Sequence, residues 1–151
     1  MLENLESLLA LPDLPGVVAV HGQGYAARVL HRVDRIRDAD VVYWEDLDTD
    51  GLNILSAVRA GLPHARSILM DRATLIAHLD LAVPEPRPRR ALPARLTDSE
   101  AEAFAALREL GDVRLEQERL PWSTALATMT AVAGLTRRRP ARPEPPGTTT
   151  P

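Results

Sequence analysis

The sequence predicts an α/β domain: a parallel sheet with flanking helices, then a helical C-terminal extension and a disordered tail. Three observations lead there. Val17–Val20 and Val41–Trp44 are short continuous apolar runs, which suits strands buried on both faces. Each is followed by apolar residues at helical spacing, first Ala26, Val29, Leu30, Val33 and Ile36, then Leu52, Leu55, Val58 and Leu62. From residue 83 the composition turns to Pro and Arg before helical signals return at Thr97.

Taken in order, Glu3 to Ala10 reads as a short helix stopped before Pro12. Val17–Val20 is the first apolar strand, and Gly22-Gln23-Gly24 turns the chain into a helix that runs to about Arg37. Val41–Trp44 is the second strand. An acidic turn over residues 46–51 leads into the helix marked by Leu52 and its partners. Ser67–Met70 reads as a third strand and Arg72–His78 as a short helix. Strand and helix thus alternate from 17 to 78, the rhythm of a parallel sheet whose binding groups gather at the strands' carboxyl ends. These boundaries divide the chain into an α/β domain over 1–80, a connector over 81–96, a helical extension over 97–134 and a disordered tail over 135–151. Thr97 with Glu100 is a capping box that opens the extension.

The 151 residues hold one domain and bury roughly 68–70% of the unfolded chain's surface. With only 3% aromatic residues, Leu, Val and Ala must fill the core. There is no Cys, which excludes disulfides and thiolate zinc sites and fits a cytoplasmic protein. A net charge of −3 leaves nucleic-acid contact to local clusters of Arg, the only basic residue besides His. No apolar run is long enough to span a membrane.

The chemistry concentrates in Tyr43-Trp44-Glu45-Asp46-Leu47-Asp48-Thr49-Asp50-Gly51. Alternate positions of an extended chain point the same way, about 6.6 Å apart. Carboxylates so placed share hard cations, and Asp46, Asp48 and Asp50 become candidate ligands of Mg²⁺ or Mn²⁺. The competing reading is an acidic helix cap, strongest for Asp50. An EF-hand is excluded, because its twelfth position is Ala57 where a glutamate is required. A second reading rests on Gly22-x-Gly24, which follows a strand, opens a helix and precedes an acidic residue at about the right distance. It makes the domain a Rossmann-like dinucleotide binder. Asp71, Glu116, Glu118 and His21 are weaker candidates near the same sheet edge. Arg87, Arg89 and Arg90 are candidate DNA contacts in a Pro-stiffened segment, and Arg137–Arg139 in the tail form a similar cluster.

Leu2-Glu3-Asn4 through Pro12, Gly22-x-Gly24-Tyr25, Tyr43-Trp44-x-Asp46-x-Asp48-Thr49-x-Gly51 and Leu62-Pro63 through Asp71 together resemble the C-terminal domain of the JetD family. The resemblance resumes at Arg114–Arg119. JetD is the nuclease of the Wadjet anti-plasmid systems and is similar to the A subunit of topoisomerase VI. The resemblance implies a Toprim fold, with Glu3 as acid–base group or ligand and Asp46 and Asp48 as metal ligands. It implies Mg²⁺- or Mn²⁺-dependent cleavage of double-stranded DNA by water, beside a condensin-like SMC complex, with homodimerisation left open. Glu45 and Asp50 stand where the family pattern has Gly and His, and both add negative charge. Only Met1 and Leu2 precede Glu3, whereas a strand averages 5–6 residues. The expectation is therefore a first strand that is mostly missing, and a truncated or inactive domain.

Overall fold

A computed structural model describes residues 1–136. The fold is α/β. Its centre is a parallel pair, β1 (Val42–Tyr43) and β2 (Arg66–Ser67), in the register Val42↔Arg66 and Tyr43↔Ser67. Parallel single bridges extend the row, Leu2 pairing with Trp44 on one side and with His21 on the other. The amino group of Met1 donates to Val42 O at 2.7 Å, Trp44 N donates to Met1 O at 3.0 Å, and Leu2 N donates to Val20 O at 2.9 Å. The spatial order is therefore 20–21, 1–2, 42–44, 66–67. In chain order this is second, first, third, fourth, so the direction of winding reverses between Leu2 and Trp44. In open α/β sheets a reversal of this kind marks where binding groups gather, at the carboxyl ends of the two segments.

Helix α1 (Leu5–Leu9) is capped by Asn4, whose side chain accepts from Ser7 N at 2.8 Å. The first apolar run departs from expectation. Val17–Val20 is extended but bridges the sheet only at its end, and Val17 and Val18 are exposed. Among the described residues its one sheet contact is with Leu2, so no ladder develops. The helix expected over 25–37 is instead a 3₁₀ segment, Gly24–Arg32, followed by the short α2 (Asp34–Arg37). Three residues per turn rotate the face. Ala27 is buried while Val29 and Val33 stay exposed.

The long helix α3 (Thr49–Gly61) supplies the core with Leu52, Leu55 and Val58, which pack with Tyr43, Trp44, Leu47 and Leu62. Asp71 caps α4 (Arg72–Ala77), accepting from Thr74 N at 2.7 Å, which accounts for that carboxylate as a structural one. The connector contributes a strand: β3 (Val83–Pro84) runs antiparallel to β4 (Val113–Arg114). Between them lies α5 (Asp98–Glu109), opened by the Thr97–Glu100 capping box that the sequence signals. Leu115 then exchanges two hydrogen bonds with Leu47 at 2.9 and 3.0 Å, laying the segment after β4 along the acidic turn. The last helix, α6, spans Trp122–Thr136. The tail expected over 135–151 lies, from residue 137 on, outside the described residues. No helix among the described residues is long and apolar enough to cross a membrane.

Candidate functional site

Trp44 ends the β1 segment at the winding reversal, and the chain there enters Glu45-Asp46-Leu47-Asp48. Asp48 is the N-cap of α3, its Oδ1 accepting from Gly51 N at 2.6 Å. Gly51 is required by this tight turn, since a Cβ there would stand 2.3 Å from Asp46 O. Asp46 Oδ1 accepts from the main-chain N of Gln117 at 2.7 Å. Glu3 follows the neighbouring segment, and its carbonyl oxygen is held by His21 Nε2 at 2.6 Å. Its carboxylate lies within electrostatic reach of both Glu45 and Asp46. Charge links the three in sequence, Glu3 acting on Asp46 and Asp46 on Asp48. The helix-cap reading of Asp48 is the one observed, and capping engages its Oδ1.

Asp50 is different. Its Oδ1 accepts from Arg89 Nε at 2.8 Å and from Tyr25 OH at 3.1 Å, so its charge is matched within the protein. Glu45 is 4% exposed and accepts a short hydrogen bond from Tyr43 OH. Burial, then the carboxylates of Glu3, Asp48, Asp46 and Asp50, push its pKa to about 9. Burial raises Asp46 to about 6 against the pull of the Gln117 amide, with Glu3, Glu118 and Glu116 adding to the rise. Burial likewise raises Asp48 to about 7 against the Gly51 amide, with Glu85, Asp46 and Asp50 adding. Each shift is led by burial, which disfavours the charged form, and neighbouring carboxylates add to it.

Two contributors are absent from the sequence-based set. Glu85, in the connector, accepts from Thr49 N at 3.2 Å and Thr49 Oγ1 at 2.5 Å and faces Asp48. Gln117 is 1% exposed and touches Asp46. A lone acidic residue within a Pro/Arg-rich segment was a signal for the first; the second lies in the Arg114–Arg119 stretch that carries the family resemblance. Glu116 is held by Arg114 and by Arg119, the latter at 2.6 Å, and with Glu118 acts on Asp46 through charge alone.

Beside the acidic turn lies a cleft of about 650 Å³ lined by Asp48, Asp50, Glu85, Arg87, Arg89 and Arg114. Of the three arginines proposed as DNA contacts, Arg87 and Arg89 reach it, whereas Arg90 turns to Asp112 at 3.3 Å. Gly22 N donates to Leu2 O at 2.7 Å, so this glycine amide serves the sheet and is not open to a phosphate. Among the described residues, no three His, Asp or Glu side chains already stand as a ready-made metal-binding group.

The model of the Wadjet protein JetD C-terminal family matches residues 1–129. The chain belongs to this family. That membership connects it to the Wadjet defence systems and gives the dinucleotide reading no support. A search of curated proteins finds no match.

Proposed function

We propose that this JetD C-terminal chain is a Toprim-like, metal-dependent domain for cleaving double-stranded DNA. What supports the reading is the acidic turn carrying Asp46 and Asp48 directly after the segment where the winding of the parallel sheet reverses, with Glu3 within electrostatic reach of Asp46. The donor set fits a hard cation. It is all oxygen, and Asp46 and Asp48 each keep an Oδ2 without a hydrogen bond among the described residues while Oδ1 is fixed by a backbone amide. Mg²⁺ or Mn²⁺ held by Asp46 and Asp48 supplies polarisation of the phosphoryl group and stabilisation of the leaving oxygen. Asp50, matched by Arg89, is at most an outer ligand.

Within the protein, Glu3 takes a proton from the attacking water, which is the nucleophile. Tyr43 and Tyr25 are engaged with Glu45 and Asp50 and serve the packing of the turn. Arg87 and Arg89 at the cleft, with Arg114, supply phosphate contacts; Arg89 exchanges Asp50 for a phosphate to do so. A net charge of −3 leaves most of the grip on DNA to partner elements, for which a condensin-like SMC complex is the candidate.

The test is thermal. Mn²⁺ or Mg²⁺ should raise Tm, because a ligand that binds only the folded state stabilises it. Asp46→Ala combined with Asp48→Ala should abolish the response. A double variant that responds as fully as the wild type would place the ion elsewhere.

A further inference from the structure

Gln117 occupies a short turn, Gln117–Arg119, just after the Leu47–Leu115 bridge. It makes two contacts to two different segments of the sheet. Its main-chain N donates to Asp46 Oδ1 at 2.7 Å, and its side-chain Oε1 accepts from Asn4 N at 3.1 Å. Asn4 is the residue after Glu3, and its N–H can only donate. The carboxamide is therefore fixed with oxygen toward Asn4. The other end, Nε2, is buried and has no hydrogen-bond partner. A buried donor without an acceptor is costly, and such groups in native proteins call for a role other than packing. Nearby Glu116 and Glu118 have polar or exposed surroundings; Gln117 alone of this segment's polar residues is fully enclosed.

We propose that Gln117 is the positioning residue of the acidic turn, tying Asp46 and the Glu3–Asn4 turn into one fixed geometry for the cation. The inference rests on the metal-site reading above and deepens it. Asp46 and Glu3 follow neighbouring segments that the sheet joins at Leu2 and Trp44, and beyond that bridge Gln117 adds one bond to Asp46 and one to Asn4, the residue after Glu3. Groups that orient metal ligands in this way typically govern affinity by 10–100-fold on removal.

Two variants of the full chain test it, with Mn²⁺ alone as the probe and calorimetry as the readout. Gln117→Met keeps length and volume but accepts nothing from Asn4. It should weaken Mn²⁺ binding by about tenfold or more. Gln117→Glu keeps an acceptor for Asn4 and should retain the wild-type Kd within a few-fold, or bind more tightly. A purely structural role predicts a lower metal-free Tm for Gln117→Met with unchanged Kd, and that result overturns the proposal. If Gln117→Met does not fold, Gln117→Glu decides alone: a tenfold loss of affinity in it overturns the proposal. A wild-type chain that binds no Mn²⁺ overturns the metal-site reading, and this proposal with it. Wild-type binding with an indifferent Gln117→Met overturns only the role of Gln117.

Discussion

Glu45 and Glu100 are buried to similar depth, 4% and 2% exposed, and are held in opposite electrostatic states. Glu100 sits at the start of α5 within a ring of donors. Arg59 of α3 reaches it at 2.5 and 2.8 Å, Ser67 Oγ at 2.5 Å and Thr97 N at 2.8 Å. Burial pushes its pKa up, but these bonds, Arg59's first, outweigh it, and the net direction is down. Glu45 has one neutral donor, Tyr43, and four acidic neighbours, and its pKa rises to about 9. One carboxylate is satisfied by the fold; the other belongs to a cluster that the fold leaves short of positive charge. Satisfied charges join α3, β2 and α5 into one body, whereas unsatisfied ones of this kind gather where ligands bind.

The largest effect expected from breaking this contrast is on the satisfied side. Glu100→Leu leaves Arg59 buried without a partner and should destabilise the chain by about 3–5 kcal/mol in urea unfolding, while Arg59→Met with Glu100→Leu recovers most of the loss. A single variant within 1 kcal/mol of wild type would show that the pair is solvated. Because the folded pKa of Glu100 is depressed, its stabilisation is present above its unfolded pKa and is lost as pH falls through the folded value. The Tm profile of Glu100→Gln should accordingly lose part of the wild-type acid limb.

Gly51→Ala is expected to rank next. The added Cβ meets Asp46 O at 2.3 Å, backbone against backbone, so the turn must open. A cost of about 1–3 kcal/mol is expected, together with a weakened Mn²⁺ response, because the shift separates Asp46 from Asp48. An unchanged metal response would mean that the ion does not need the tight turn.

Glu45→Gln should have the smallest effect, and of opposite sign. The folded pKa of Glu45 lies above its unfolded value, so its contribution is complete below the unfolded pKa and is lost as pH rises toward 9. In metal-free buffer the glutamine variant should match the wild type at low pH and exceed it by a few degrees in Tm on the alkaline side. A wild-type profile that is flat from neutral pH upward, with no gain in the variant, would remove the crowding argument.

The acidic turn was legible in the sequence because its signal is local. An apolar strand followed by alternate aspartates and a glycine fixes both direction and spacing without reference to the rest of the chain. The capping box at Thr97 and Glu100 was legible for the same reason. The first strand and the helix after Gly24 were misjudged because apolar periodicity does not say how many neighbours a segment will have. Val17–Val20 finds a sheet partner at one end only. The connector seemed structureless because Val83–Pro84 becomes a strand only once residues 113–114 lie beside it.

By itself, the sequence determined the α/β class, the acidic turn and the family to which the chain belongs. Only the tertiary structure decided which distant partners the acidic side chains meet: Asp50 pairs with Arg89, Glu85 accepts from Thr49, and Asp46 accepts from an amide 71 positions away. The reason is physical. Local geometry follows from neighbouring residues, but the protonation and freedom of a buried carboxylate depend on which donors and charges distant segments bring within a few ångströms.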